Sequence, residues 1–209
     1  MVKKTPRISN HVPPKEELEI WQKDAKKEAE MPENDGFTLV MADESHQNSN
    51  IFGSGATYVR GDGEPIPMPP GNQRQTVYGG VTLDGQTCRT AADKANDRSF
   101  IRYLDKLQRR FGKVAVVADN AAYHNFGRVR RHLEKNNDFI RLMFLQPYSP
   151  FLNPAEWLWR SSKTKIRRIS RLPAKSYFRR KIMLVYESLE IKFDPRNILF
   201  RDLDKMLLL

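Results

Sequence analysis

Three short apolar runs, residues 37–42 (FTLVMA), 113–118 (KVAVVA) and 140–145 (IRLMFL), do most to limit what this chain can fold into. Each has the length of a strand and not of a membrane span, and the first two are rich in β-branched residues. Strands that are apolar at consecutive positions are buried on both faces, so their sheet needs helices on either side. The first run stops at Asp43-Glu44, the second at Asp119, and the third enters the polar, Pro-rich stretch QPYSPFLNP.

The segments between them supply the helices. Residues 15–30 read as a helix, with Leu18, Trp21 and Ala25 on one face and Pro14 just ahead. Residues 96–111 read as an amphipathic helix capped by Asn96, with Phe100, Tyr103, Leu104, Leu107 and Phe111 as its stripe. Residues 124–135 read as a third helix. Asn153 and Pro154 open a fourth, which carries Glu156, Trp157 and Trp159. After a break near Leu172-Pro173, a last helix is expected over 174–190. Residues 51–73 are rich in Gly and Pro and read as hairpin and loop. Residues 75–90 read as two strands joined at Asp84-Gly85. The order predicts an α/β fold, a central mixed sheet flanked by helices. Residues 1–14, broken by Pro6, Pro13 and Pro14, read as a flexible linker, 15–191 as the folded domain and 192–209 as a C-terminal tail.

Charge points to the partner. The net charge is +11 over 209 residues, and no acidic residue occurs between Trp157 and Lys181. Arg160, Lys163, Lys165, Arg167 and Arg168 fall in that stretch, just beyond Glu156, as a phosphate-binding face requires. The lone Cys88 excludes a disulfide framework and a cysteine zinc cage. No apolar run approaches the roughly 18–20 residues of a membrane span, and the N-terminus lacks the apolar core of a signal peptide. A cytoplasmic protein is expected.

Asp43, Asp119 and Glu156 stand out by position: two at strand ends, one in the first turn of a helix. Ligands collect at such places in α/β sheets, and hard divalent cations prefer carboxylate oxygens. Two such ions roughly 4 Å apart can serve phosphodiester displacement. Each residue taken singly also has an ordinary structural use, as a turn, a loop cap or a helix-dipole partner.

The stretches VVADNAAYH and FLQPYSPFLNPAEWLW resemble the second and third acidic blocks of the mariner-superfamily transposases, and look closest to their prokaryotic insertion-sequence branch. Asp119, Asn120 and His124 match the second block. Pro147, Tyr148, Ser149, Pro150, Leu152, Asn153, Pro154, Glu156 and Trp159 match the third, and MADES matches the first at Asp43-Glu44. The two later acids are 37 residues apart, near the family's usual mid-thirties. Tyr58 stands roughly where family members carry Trp, and Gln146 where Pro is common.

The resemblance spans about 15–191 and implies a ribonuclease H-like fold and metal-dependent DNA cleavage with strand transfer. It implies Mg2+ or Mn2+, two ions, with Asp43, Asp119 and Glu156 as catalytic metal ligands. Asn120 and His124 are expected to steady Asp119 or to contact the scissile phosphate, and Glu44 to point away. DNA is the expected partner, as transposon ends and target, with a homodimer acting on paired ends and a nucleoid-associated location in a prokaryote. The family's N-terminal helix-turn-helix region has no counterpart in this sequence, so end recognition is expected from elsewhere, a separate helix-turn-helix polypeptide of a split element being one source and a shortened chain the other explanation. A nuclease without strand transfer and an inactive DNA-binding relic remain open alternatives.

Overall fold

The computed structural model describes residues 13–48, 74–167 and 175–204. Along the chain run α1 (Lys15–Asp35), β1 (Phe37–Asn48), β2 (Arg74–Thr82), β3 (Thr87–Ala92), α2 (Asp97–Phe111), β4 (Lys113–Ala118), α3 (Gly127–Lys135), β5 (Ile140–Phe144), α4 (Ala155–Arg167), α5 (Lys175–Glu187) and α6 (Pro195–Leu199). The five strands form one sheet in the order β3-β2-β1-β4-β5. β1 to β3 are antiparallel, whereas β4 and β5 run parallel to β1.

The period-two alternation of strand side chains divides the core into two layers. Phe37, Leu39 and Met41 of β1 join Ala115 and Val117 of β4 beneath α1, α4 and α5. Val40 and Ala42 join Val114, Val116 and Ala118 beneath Phe100, Tyr103, Leu104 and Leu107 of α2 and Val129 of α3. The cap expected at Asn96 is present: its side chain accepts from Ser99 N at 2.9 Å, and Ser99 Oγ accepts from Asn96 N at 3.0 Å.

Three elements differ from the sequence reading. β1 does not stop at Asp43 but continues to Asn48, because β2 pairs with it antiparallel as far as Asn48 opposite Arg74. Its parallel pairing with β4 ends earlier, at Met41 opposite Val117. Asp43 therefore sits where β1 loses its parallel neighbour. The helix expected over 124–135 is split into a 3-10 turn, Ala122–Asn125, and α3. That turn faces His124 inward, at 1% exposure. Finally, the described part of the segment set apart as a tail is packed on the domain. Leu199 and Leu203 are in the core, and Gln22 Nε2 donates to Leu199 O and Arg201 O, both at 3.1 Å. The 51–73 loop with Tyr58, the Leu172-Pro173 break and the linker up to residue 12 lie outside the described residues.

Candidate metal centre and nucleic-acid face

The three predicted carboxylates are brought to one place. Asp43, Asp119 and Glu156 line a single cleft of about 460 Å3, together with Asn120, Tyr148 and Asn153. Each arrives by a different element: Asp43 from β1, Asp119 from the residue after β4, Glu156 from the first turn of α4.

Asn153 joins two of these elements. Its Oδ1 accepts from Ala155 N at 3.0 Å, capping α4, and its Nδ2 donates to Ala42 O at 3.2 Å, next to Asp43. Asn120 similarly ties the end of β4 to β5 by donating from Nδ2 to Leu145 O at 2.7 Å. Tyr148, at the rim of the cleft, is 70% exposed and has φ 59, a left-handed conformation unusual for a bulky residue and often found at binding sites.

Asp43 is held from α4. Trp159 Nε1 donates to Asp43 Oδ2 at 2.6 Å. Gly79 lies opposite Asp43 on β2, and the indole of Trp159 fills the space its missing side chain leaves. A carbon at the Cβ position of Gly79 would fall 2.5 Å from Trp159 Cη2. Burial pushes the Asp43 carboxyl up to about 7, and the negative charge of Glu156 adds to the rise. A carboxyl so perturbed by a second carboxylate at a cleft is a fitting place for a cation, which would relieve both costs.

Asp119 is governed from the other side. His124 Nδ1 lies 3.0 Å from Asp119 Oδ1 and 2.9 Å from Asp119 O, and Ala121 N donates to Oδ1 at 3.1 Å. The His124 bond holds the Asp119 carboxyl below its ordinary range. Burial alone lowers the imidazolium of His124, but its bonds to Asp119 and the charge of Glu44 together carry it above the usual value.

Glu44 points to the opposite face of β1 from Asp43, as alternation requires, yet it is not remote from the site. Tyr123 Oη donates to its Oε1, and its Oε2 lies 3.7 Å from His124 Nε2. Burial raises the Glu44 carboxyl, against the lowering effect of the Tyr123 bond. Among the described residues, Glu44, Asp119 and His124 are the group whose ligand atoms all lie within 4.8 Å of one another. Asp43, Asp119 and Glu156 share the lining of one cleft but do not form so close a group.

The sequence placed Trp159 on the fourth helix and in the third block without a part at the site, and it did not single out Gly79, Tyr123 or the part of Glu44. The available signal was the pair Gly79-Gly80 inside a strand, which marks a close approach by another group.

The basic residues expected to meet phosphate start on α4 one turn beyond Glu156. Arg160 is exposed, with its guanidinium carbon 5.1 Å from the ring centroid of Trp157. Lys165 is exposed and donates from Nζ to Ser188 O at 3.2 Å. Lys163 and Arg167 lie on the same helix, and Arg168 lies outside the described residues.

A mixed sheet of this order, with carboxylates at β1, after β4 and on the helix following β5, defines a ribonuclease H-like domain. The chain belongs to the DDE superfamily endonuclease family, whose model matches residues 38–179. No curated protein matches the chain. Among solved structures it is similar to the Mos1 transposase paired-end complex with left transposon end, at TM-score 0.61 and 18% identity, over 95% of this chain and 62% of that one. The mariner Mos1 paired end complex with Mg gives TM-score 0.61 and 17% identity, over 95% and 63%. The catalytic domain of Mos1 mariner transposase gives TM-score 0.53 and 16% identity, over 90% and 89%. The chain thus spans about three fifths of the length of the Mos1 chains in those complexes. At these identities the likeness is one of fold.

Proposed function

We propose that this chain is the catalytic domain of a DNA transposase of the mariner superfamily, from its prokaryotic insertion-sequence branch, which cleaves DNA strands and joins them to a target. The observation that carries the reading is the convergence of Asp43, Asp119 and Glu156 on one cleft, with Glu156 close enough to raise the Asp43 carboxyl.

Asp43, Asp119 and Glu156 would hold Mg2+ or Mn2+, two ions. Bound there, the ions would supply charge stabilisation and an activated hydroxyl for in-line displacement at phosphorus. The protein's own part is preorganisation. Trp159 fixes one oxygen of Asp43, His124 and Ala121 N fix Asp119, and Asn153 sets α4, hence Glu156, against β1. Arg160, Lys163, Lys165, Arg167 and Arg168 would neutralise phosphates on the strand leading away from Glu156. The DNA would comprise transposon ends and target. Catalysis by a homodimer on paired ends belongs to the same proposal, as does a nucleoid-associated place in a prokaryotic cytoplasm. Among the described residues, no helix is long and apolar enough to cross a membrane.

The test is cleavage of supercoiled or pre-nicked DNA with Mg2+ or Mn2+, comparing wild type with Asp119→Ala, and recovery of joined products on added target DNA. Metal-dependent cleavage lost in the variant, with joined products from wild type, supports the proposal. Hydrolysis without joining makes the protein a nuclease, and DNA binding without cleavage by either protein makes it a binding module.

A further inference from the structure

The cleft that holds the carboxylates does not end at Glu156. Glu156 also lines a second concavity of about 440 Å3, with Phe151, Trp157, Arg160 and Arg201. Trp157 and Arg160 in turn line a third, of about 560 Å3, with Lys165, Lys192 and Phe193. The three concavities are therefore neighbours, with Glu156 on the wall shared by the first and second and the Trp157–Arg160 pair on the wall shared by the second and third.

That second wall has an unusual make-up. Trp157 is 41% exposed, one residue past a candidate metal ligand. Its ring lies 5.9 Å from Phe193 at 42°, and the Arg160 guanidinium sits over it at 5.1 Å. Leu158 and Trp159 fill the core side of α4 at 2% exposure each, which leaves Trp157 on the solvent side of the helix, partly covered by Phe193 and Arg160. Among the described residues lining the third concavity, Glu190 is the one acidic group, against Arg160, Lys165 and Lys192.

We infer that the Trp157–Phe193 concavity is a stacking site for an unpaired nucleobase of the DNA strand that leaves the carboxylate cleft, with Arg160, Lys165 and Lys192 on its flanking phosphates. The inference rests on the DNA reading given above and adds the form of the DNA. A base within a duplex has both its faces covered by neighbouring bases, so an aromatic side chain in a concavity can reach a π-face only where the strand is unpaired or at a duplex end. Aromatic platforms with cationic margins bind single strands in this way, tolerant of sequence because every base has a π-face. Arg160, with its guanidinium carbon 5.1 Å from the indole centroid, adds a cation–π contact to the platform.

The probe is a fluorescein-labelled duplex, either blunt or with a short single-stranded overhang carrying 2-aminopurine, bound to the full chain in Ca2+ and read by anisotropy. Wild type should bind the overhang duplex more tightly than the blunt one and quench the 2-aminopurine on binding. Trp157→Ala should bind the overhang duplex roughly 5- to 150-fold more weakly, the range expected for one stacked base, with the blunt duplex nearly unaffected. Trp157→Phe should keep most of the preference, which a merely structural role would not predict. Equal affinity of wild type for both DNAs, absence of quenching, or an equal loss on both DNAs in Trp157→Ala overturns the stacking site while leaving DNA binding intact. Failure of wild type to bind either DNA overturns the DNA reading and the stacking site with it.

Discussion

Gly79→Ala places a methyl group where the six-membered ring of Trp159 now lies. The built carbon falls 2.5 Å from Cη2, 3.1 Å from Cζ2 and 3.3 Å from Cζ3. Ordinary carbon contact begins near ~3.5 Å, so the ring must withdraw by about 1 Å. Trp159 is 2% exposed, T-stacked on Tyr186 with centroids 5.5 Å apart, and has little room to retreat. Overpacking of this kind costs about 1–3 kcal/mol. A 1 Å shift also breaks the 2.6 Å bond from Nε1 to Asp43, leaving a buried carboxylate short of a donor, which adds on the order of 1–3 kcal/mol.

The cost is specific to the indole. Trp159→Phe removes the three clashing atoms, so Gly79→Ala in that background should be far less damaging than in wild type. Urea unfolding of the four proteins gives the coupling as a double-mutant cycle. Coupling near zero, or a Gly79→Ala protein within about 0.5 kcal/mol of wild type, would show that Gly79 does not make room for Trp159. Both Gly79→Ala and Trp159→Phe should also weaken Mn2+ binding, because each removes the donor that holds Asp43.

Asp43 predicts how stability depends on pH without metal. Its carboxyl is raised to about 7 in the fold, against about 3.9 in an unfolded chain. The folded protein therefore keeps a proton that the unfolded chain has released, and the resulting stability is lost as pH rises through about 7. The metal-free melting temperature should fall between about pH 4 and 7 and level off above, Mn2+ should restore it, and Asp43→Asn should flatten the slope, leaving the same-signed contributions of Glu44 and His124. A slope unchanged in Asp43→Asn would refute the assignment. Glu44→Gln should lower the His124 pKa followed by NMR, since it removes the charge 3.7 Å from Nε2; an unmoved titration would show that Glu44 does not act on His124. Asn153→Ala should cost about 1–2 kcal/mol, the usual loss for an N-cap, and lower Mg2+-dependent cleavage by loosening Glu156. Full activity and stability in that variant would deny Asn153 its bridging place. Lys165→Ala should reduce the salt dependence of DNA affinity by about one unit of slope, and an unchanged slope would remove it from the phosphate contacts.

Much of the architecture is local chemistry and so is legible in the sequence. Apolar runs of strand length, helical stripes at three- and four-residue spacing, the Asn96 cap and the Asp84-Gly85 turn each act over a few residues, and each is found where the sequence puts it. The motif residues from Pro147 to Glu156 also belong to this level, since one short stretch carries turn, cap and carboxylate together.

What tertiary structure alone decided is which of these residues meet. The end of β1 was misplaced because its length is set by a partner, β2, that pairs beyond the point where β4 stops. Trp159 reaches Asp43 across 116 residues, and Tyr123 reaches Glu44 across 79. Such meetings depend on sheet register and on which face a side chain takes. A one-residue change of register would exchange Asp43 and Glu44 between the two layers while leaving every local pattern in the sequence as it is.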